Sequence, residues 1–198
     1  MEKSSNSSVK LAPPGAGLPF AERLFARWLA GPVLSKIVPL DQARADYERH
    51  TNTVLSIAHA MPLELRNQPV LIRPIGGLED SSRNWSMNGV LEHLLTVSKA
   101  VEGVILSLAK EVVPPGSADP AKVKPKGGDR DWLDEFSTFA PGLLVRIDQQ
   151  IQSGGLTLDS KSTFVHPWFG PFNARQWYWL LSRHQGIHAH QARLIANS

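Results

Sequence analysis

The sequence predicts an all-α protein: a four-helix bundle with long loops and an extra N-terminal helix. Three observations carry this prediction. Apolar residues recur three and four positions apart over four separate stretches, each long enough for several helical turns. Convincing period-two alternation, the mark of a half-buried strand, is missing between them. Pro and Gly clusters punctuate the chain at the ends of the four stretches. With 42% apolar and 20% charged residues in 198, the chain has the composition of one globular domain able to bury a core.

Residues 1–16 are rich in Ser, Pro and Gly without a period, and read as a disordered lead. Residues 17–38 read as an amphipathic helix, with Phe20, Leu24, Phe25, Trp28 and Leu29 at helical spacing and a break at Gly31-Pro32. Such a stripe can lie on a membrane surface, but stripes of this kind usually face a core, so packing on the main domain is expected. The main domain then spans 39–198. Its first helix is predicted over 41–61, with Asp41 as N-cap, Tyr47, Val54, Leu55, Ala58 and Met61 on its apolar stripe, and Pro62 after it. A long ordered loop over 63–85 leads to Ser86, which can cap a helix running to about 110. Val90, Leu94, Val97, Val101, Val104, Ile105 and Leu108 line its inner side, and Pro114-Pro115-Gly116 closes it. A loop over 112–130 precedes a helix over 131–152, kinked by Pro141-Gly142 and stopped by Gly154-Gly155. The loop over 156–172, with a short extended piece, enters the last helix, 174–196, through a capping box of Asn173 and Gln176.

Composition excludes several function classes. The chain has no Cys, so disulfide scaffolds, cysteine nucleophiles and Cys-ligated zinc or iron–sulfur sites are ruled out. Any metal must be held by His, Asp or Glu. Purely apolar runs are too short for a membrane span, and the start of the sequence lacks the basic-then-apolar order of a secretory signal. A soluble, cytoplasmic protein is expected. The net charge of +3 comes from scattered basic residues, which does not point to nucleic acid.

The seven histidines hold the chemical interest. His184 and His188 are four apart on the last helix, on the stripe Trp177, Leu181, His184, His188, Gln191, Ile195, which should face the core. His93 lies on the inward stripe Val90, His93, Val97, Val101. Roughly 0.24 His pairs at spacing four arise by chance in such a chain, so the pair alone is weak evidence, and a lone inward His is more often a packed core residue. Three imidazoles directed into one core nevertheless each need a partner, and one divalent metal would satisfy all three.

Residues 85–94 read Trp-Ser-Met-Asn-Gly-Val-Leu-Glu-His-Leu, and residues 184–191 read His-Gln-Gly-Ile-His-Ala-His-Gln. Together they resemble the DinB-like superfamily of metal-binding four-helix bundles, with a Trp-Ser helix start, a His eight residues after the Trp, and His-x-x-x-His-x-x-Gln on the last helix. Phe169-Gly170-Pro171-Phe172-Asn173 followed by Gln176-Trp177 resembles the entry to the last helix in one branch of that superfamily. The resemblance spans roughly 41–196. It implies an up-down-down-up bundle and the metal ligands His93, His184 and His188. In that arrangement His93 lies ~10 Å from the start of its helix and His188 ~12 Å from the end of the antiparallel last helix, so their heights agree. Gly89 stands where the family often has Glu, which weakens a capping box without touching the ligands.

Gln191, one turn past His188, can hydrogen-bond a ligand imidazole and fix its tautomer, or simply fill the bundle end. His190 should point to the surface. His166, in the loop His-Pro-Trp-Phe-Gly-Pro, is expected to face solvent but can reach the site as a fourth group; Tyr47 and His50 are the other candidates for an acid or base. Three imidazoles suit Zn²⁺, Ni²⁺ or Fe²⁺ and leave positions open for water or a substrate thiolate. The resemblance implies, as the leading activity, transfer of a low-molecular-weight thiol cosubstrate to a small-molecule electrophile. Metal-activated hydrolysis, and a non-catalytic metal-binding or stress-response role, are the alternatives. A homodimer is a further expectation, since bundles with Trp- and Phe-rich extra helices often pair.

Overall fold

The computed structural model describes residues 10–13 and 15–198, and they are mostly helical, with four very short strands. Most of the expected lead over 1–16 lies outside the described residues. Within it, the Ala12 N–H donates to Asp80 at 2.7 Å. Helix α1 (Phe20–Phe25) continues through a π-helical stretch, Ala26–Leu34, into α2 (Ser35–Ile37). The chain stays helical through Gly31-Pro32, where the sequence predicts a break, and the widened π-helical turns coincide with that pair.

Helix α3 (Leu40–Ala60) starts directly behind Pro39, rather than at an Asp41 cap. Pro39 occupies the N-cap position, and no side chain caps this end. The 63–85 loop contains α4 (Leu63–Arg66) and the strand β1 (Val70–Leu71), which pairs antiparallel with β2 (Asn84–Trp85). That pairing sets Trp85 against the start of α5 (Met87–Ala109), whose first turn is capped by the Ser86 hydroxyl accepting from Gly89 N–H at 3.0 Å. The predicted helix over 131–152 is two helices, α6 (Leu133–Phe139) and α7 (Leu143–Ser153). Gly142 between them is left-handed at φ +70°, so the chain breaks there instead of merely kinking. The extended piece before the last helix is a hairpin of β3 (Phe164–His166) and β4 (Gly170–Phe172). It delivers the chain to α8 (Ala174–Ala196), which begins with the expected Asn173–Gln176 capping box.

Side-chain partners give the helix directions. Tyr178 and Arg44 share Asp148, the His50 ring packs on Gly186, and Arg193 reaches Thr53, so α3 and α8 run in the same direction. Trp85 stacks on His188 while Ile105 and Leu108 join Trp177 and Leu181 in one apolar cluster, so α5 runs opposite to α8. Asn88 binds Trp132 N–H, and Lys99 pairs with Glu135, which places α6 beside the first half of α5. Leu144 and Ile147 of α7 cluster with Ile105 and Leu108. Helices α6 and α7 therefore follow the direction of α5.

The core forms two apolar clusters. On α8, Leu181 belongs to one and Ala189 to the other, and His184 and His188 stand between them. The N-terminal segment departs from expectation. It packs through Leu18, Ala26 and Ser35, while Phe20, Leu24, Phe25, Trp28 and Leu29 are all exposed. Its stripe faces away from the domain because backbone and polar contacts dock the opposite side: the Gln176 amide donates to Gly31 O at 3.3 Å and to Ser35 Oγ at 3.2 Å.

Phe136 is fully buried in the second cluster, so Phe136→Ala should cost about 3–5 kcal/mol in chemical denaturation. Trp28 is 73% exposed, so Trp28→Ala should stay within about 0.5 kcal/mol of the parent.

Candidate metal centre

Helical spacing and antiparallel packing bring His93 of α5 to His184 and His188 of α8. One ring nitrogen from each lies within 4.8 Å of the other two. His93 and His188 are buried, and His184 is half-buried. The Nε2 atoms of His93 and His184 are 3.0 Å apart. Two imidazole nitrogens bound to one ion at about 2.0–2.1 Å stand about 3 Å apart, so this spacing suits a shared cation.

Tautomers follow from the partners. The Val123 carbonyl can only accept, so His93 Nδ1–H donates to it, at 2.6 Å, and leaves a lone pair on Nε2. Gln191 resolves the same question for His188. Its Nε2 donates to the Ser82 carbonyl at 2.7 Å, which leaves Oε1 to accept from His188 Nδ1–H at 2.6 Å. His188 Nε2 is therefore also a lone pair. Gln191 is fully buried and holds a ligand imidazole in place, the more specific of its two expected roles.

Burial makes these imidazoles neutral. It pulls His93 down to about 4, partly opposed by the bond to Val123 and aided by the positive charge of Lys124. Burial, then the neighbouring imidazoles, push His184 well below its ordinary value; burial and His93 do the same to His188. Neutral imidazole is the form that binds a metal.

Trp85 forms one wall. Its indole lies parallel to the His188 ring at 5.9 Å and tilted against His93 at 5.0 Å. Beyond it, half-buried Lys124 forms an ion pair with the buried Glu79 and donates to Ser82 Oγ at 2.6 Å. Val123 and Lys124 end the 3₁₀ turn over Pro120–Val123, so the 112–130 loop closes on the site. The Trp-Ser motif announces Trp85. Nothing in the sequence marks Val123, Ser82, Glu79 or Lys124, since carbonyl partners and loop ion pairs leave no spacing pattern.

His166 is not solvent-facing. It sits in β3 among Phe169, Trp177, Trp168 and Phe172, with ring centroids 4.8, 5.3, 5.7 and 6.2 Å away. Its Nδ1 accepts from the Trp168 N–H at 3.2 Å, so Nε2 carries the proton and acts as a donor. Burial holds it down to about 3. Its ring packs against α8 through Trp177, two turns before His184.

Of the other two candidates, both on α3, His50 is turned away from the triad. Tyr47 is fully buried in the first cluster beside Ser98 and Thr51, and burial pushes its phenol up to about 12, too high for a base near neutral pH. His50 rests on Gly186, which lies about 160° around α8 from both His184 and His188, on the opposite face. A Cβ on Gly186 would fall 3.0 Å from its Nε2. His190 is exposed, as expected, and so is His59.

Neither family models, curated proteins nor solved structures provide a match to this chain.

His93→Ala, His184→Ala and His188→Ala should each abolish stoichiometric Zn²⁺ binding in calorimetry, while His59→Ala, His50→Ala and His190→Ala leave it intact. Gln191→Leu should weaken binding about 10–100-fold, the loss typical when a ligand histidine loses its anchor. His166 sets a pH effect. Its native value lies below the unfolded one, so the unfolded state takes the proton first as pH falls through about 6.5 towards 3. Stability is lost in that window, and His166→Gln should flatten the acid side of the stability profile by up to about 1.4 kcal/mol per pH unit.

Proposed function

We propose that this chain is a DinB-like four-helix bundle of up-down-down-up topology, and that it uses one divalent transition metal to transfer a low-molecular-weight thiol to a small-molecule electrophile. The observation that carries the reading is the convergence of imidazole nitrogens whose opposite ring atoms are tied to Val123 and Gln191. The directions of α3, α5, α6–α7 and α8 support the topology.

The donor set fits Zn²⁺, Ni²⁺ or Fe²⁺, which imidazole suits. Three neutral ligands leave the full cationic charge to be met by another group, and among the described residues no carboxylate joins the cluster. When bound, such a cation acts as a Lewis acid that favours the deprotonated form of a thiol or water. The chain's own residues supply the setting. Trp85 and the Val123 end of the 112–130 loop cover His93 and His188, a setting that would leave an anionic sulfur on that side weakly solvated and reactive. The Lys124 charge favours an anion nearby but is balanced by Glu79. His166 Nε2–H is a neutral donor that can orient an acceptor on the electrophile.

The deep burial of His93 and His188, at 6% and 3% exposure, favours a second reading: a metal-binding protein without turnover. A thiol panel separates the two. Glutathione and other small thiols are mixed with a generic electrophile, with metal-loaded parent protein and with His188→Ala. Transfer should appear only with the parent, and the same thiol should perturb the visible spectrum of the Co²⁺ form. Equal rates in both proteins, with a spectrum no thiol alters, would leave the non-catalytic reading. A Co²⁺ spectrum indifferent to thiols but accompanied by metal-dependent ester or amide cleavage would favour a hydrolase.

A further inference from the structure

We propose that the exposed apolar face of the N-terminal segment docks this protein onto the surface of an anionic lipid bilayer. Phe20, Leu24, Phe25, Trp28, Leu29, Val33 and Ile37 are exposed by 41–73%, all within the segment Phe20–Ile37. Phe20, Leu24 and Trp28 follow one another at spacing four, and Phe25 and Leu29 widen the same arc. Large apolar side chains gathered this densely on a surface mark an interaction site.

The segment is fixed in this orientation. Leu18, Ala26 and Ser35 are buried on its other side, and Gln176 donates to Gly31 and Ser35. The Glu22 carboxylate is turned towards the domain, where it accepts from Gly77 N–H at 2.9 Å. The apolar arc is thus presented outwards by polar contacts that a rotation would break.

Charge selects the occupant. Arg23, Arg27 and Lys36 are exposed on the segment, and among the described residues none of the three pairs with an acidic side chain. Glu22, the segment's acid, faces inward. On a helix, Arg23 and Arg27 fall on one border of the arc that holds Phe20, Leu24 and Trp28; the Arg27 guanidinium lies along Gly170 of the hairpin while the residue stays exposed, so Arg23 is the cation turned more freely outwards. Aromatic and aliphatic side chains bordered by arginine match an interface-lying helix, whose apolar face enters the headgroup boundary while its cations meet anionic headgroups. A second copy of the chain fits less well, because a twofold contact would bring this positively charged segment against its own positive charges. The segment spans about 27 Å if helical throughout, and no helix among the described residues is long and apolar enough to cross a membrane, so it would lie in the surface plane.

The test is flotation of the full chain with vesicles of phosphatidylcholine alone, or of phosphatidylcholine with one quarter phosphatidylglycerol, alongside light scattering of the free protein. The parent should float with the phosphatidylglycerol vesicles, bind phosphatidylcholine weakly, and be released by salt. Leu24→Ser/Trp28→Ser should lower binding at least about tenfold, and Arg23→Gln/Arg27→Gln should remove the preference for phosphatidylglycerol. Unchanged helical circular dichroism and Zn²⁺ binding in both variants would show that the fold is intact. Parent protein that fails to float, or variants that float like the parent, would overturn the proposal. So would a dimer that the Leu24→Ser/Trp28→Ser change dissolves without any vesicle binding, which would assign the face to a second copy.

Discussion

Neutral imidazoles buried between two apolar clusters are the constraint on which the rest of this structure turns. An unpaired ring nitrogen in such a place costs free energy, so each ring must be hydrogen-bonded, metal-bound or both. Two of the three Nδ1 atoms are committed to acceptors, the Val123 carbonyl and the Gln191 side chain. Gln191 is itself oriented by the Ser82 carbonyl. The chain Ser82–Gln191–His188 turns a flexible amide into a fixed acceptor, and the ligand lone pair then points where the partner rings are. Preorganisation of this kind reduces the cost of ordering the ligands around a cation.

The same contacts draw the loops together. Glu79 is buried, accepts from Gly17 N–H at 2.9 Å and pairs with Lys124, whose neighbour Val123 holds His93. The 63–85 loop, the 112–130 loop and the chain just before α1 therefore meet at one carboxylate beside the triad. This gives a physical reason for the length of both loops: each crosses far enough to supply a group to the centre. It also links the N-terminal segment to the site through three consecutive contacts.

The helices and the triad are legible in the sequence because both are periodic. The stripes through Val90–Leu108 and Trp177–Ile195 put the three histidines inward, and the Asn173–Gln176 capping box is readable as a pattern. What the sequence hides is non-periodic. Whether Pro141-Gly142 bends or breaks a helix depends on the left-handed Gly142, a backbone choice the residues only permit. A loop position suggests solvent for His166, but four aromatic side chains close around it through the β3–β4 hairpin. His50 lies on a helix facing α8, yet it meets the face opposite to the ligands, which no single-helix pattern reveals. Periodicity alone turns the N-terminal stripe towards the core, whereas polar contacts of Gly31, Ser35 and Glu22 decide which side docks.

His93, His184 and His188 are proposed to hold one ion together. X-ray absorption of the Zn²⁺-loaded chain, purified without a histidine tag, tests it most directly. Three imidazole nitrogens at about 2.0–2.1 Å are expected, with multiple scattering from their rings, and one further ligand that exchanges. A first shell made only of oxygen, or one that keeps all its imidazole scattering in the His93→Ala chain, would contradict it.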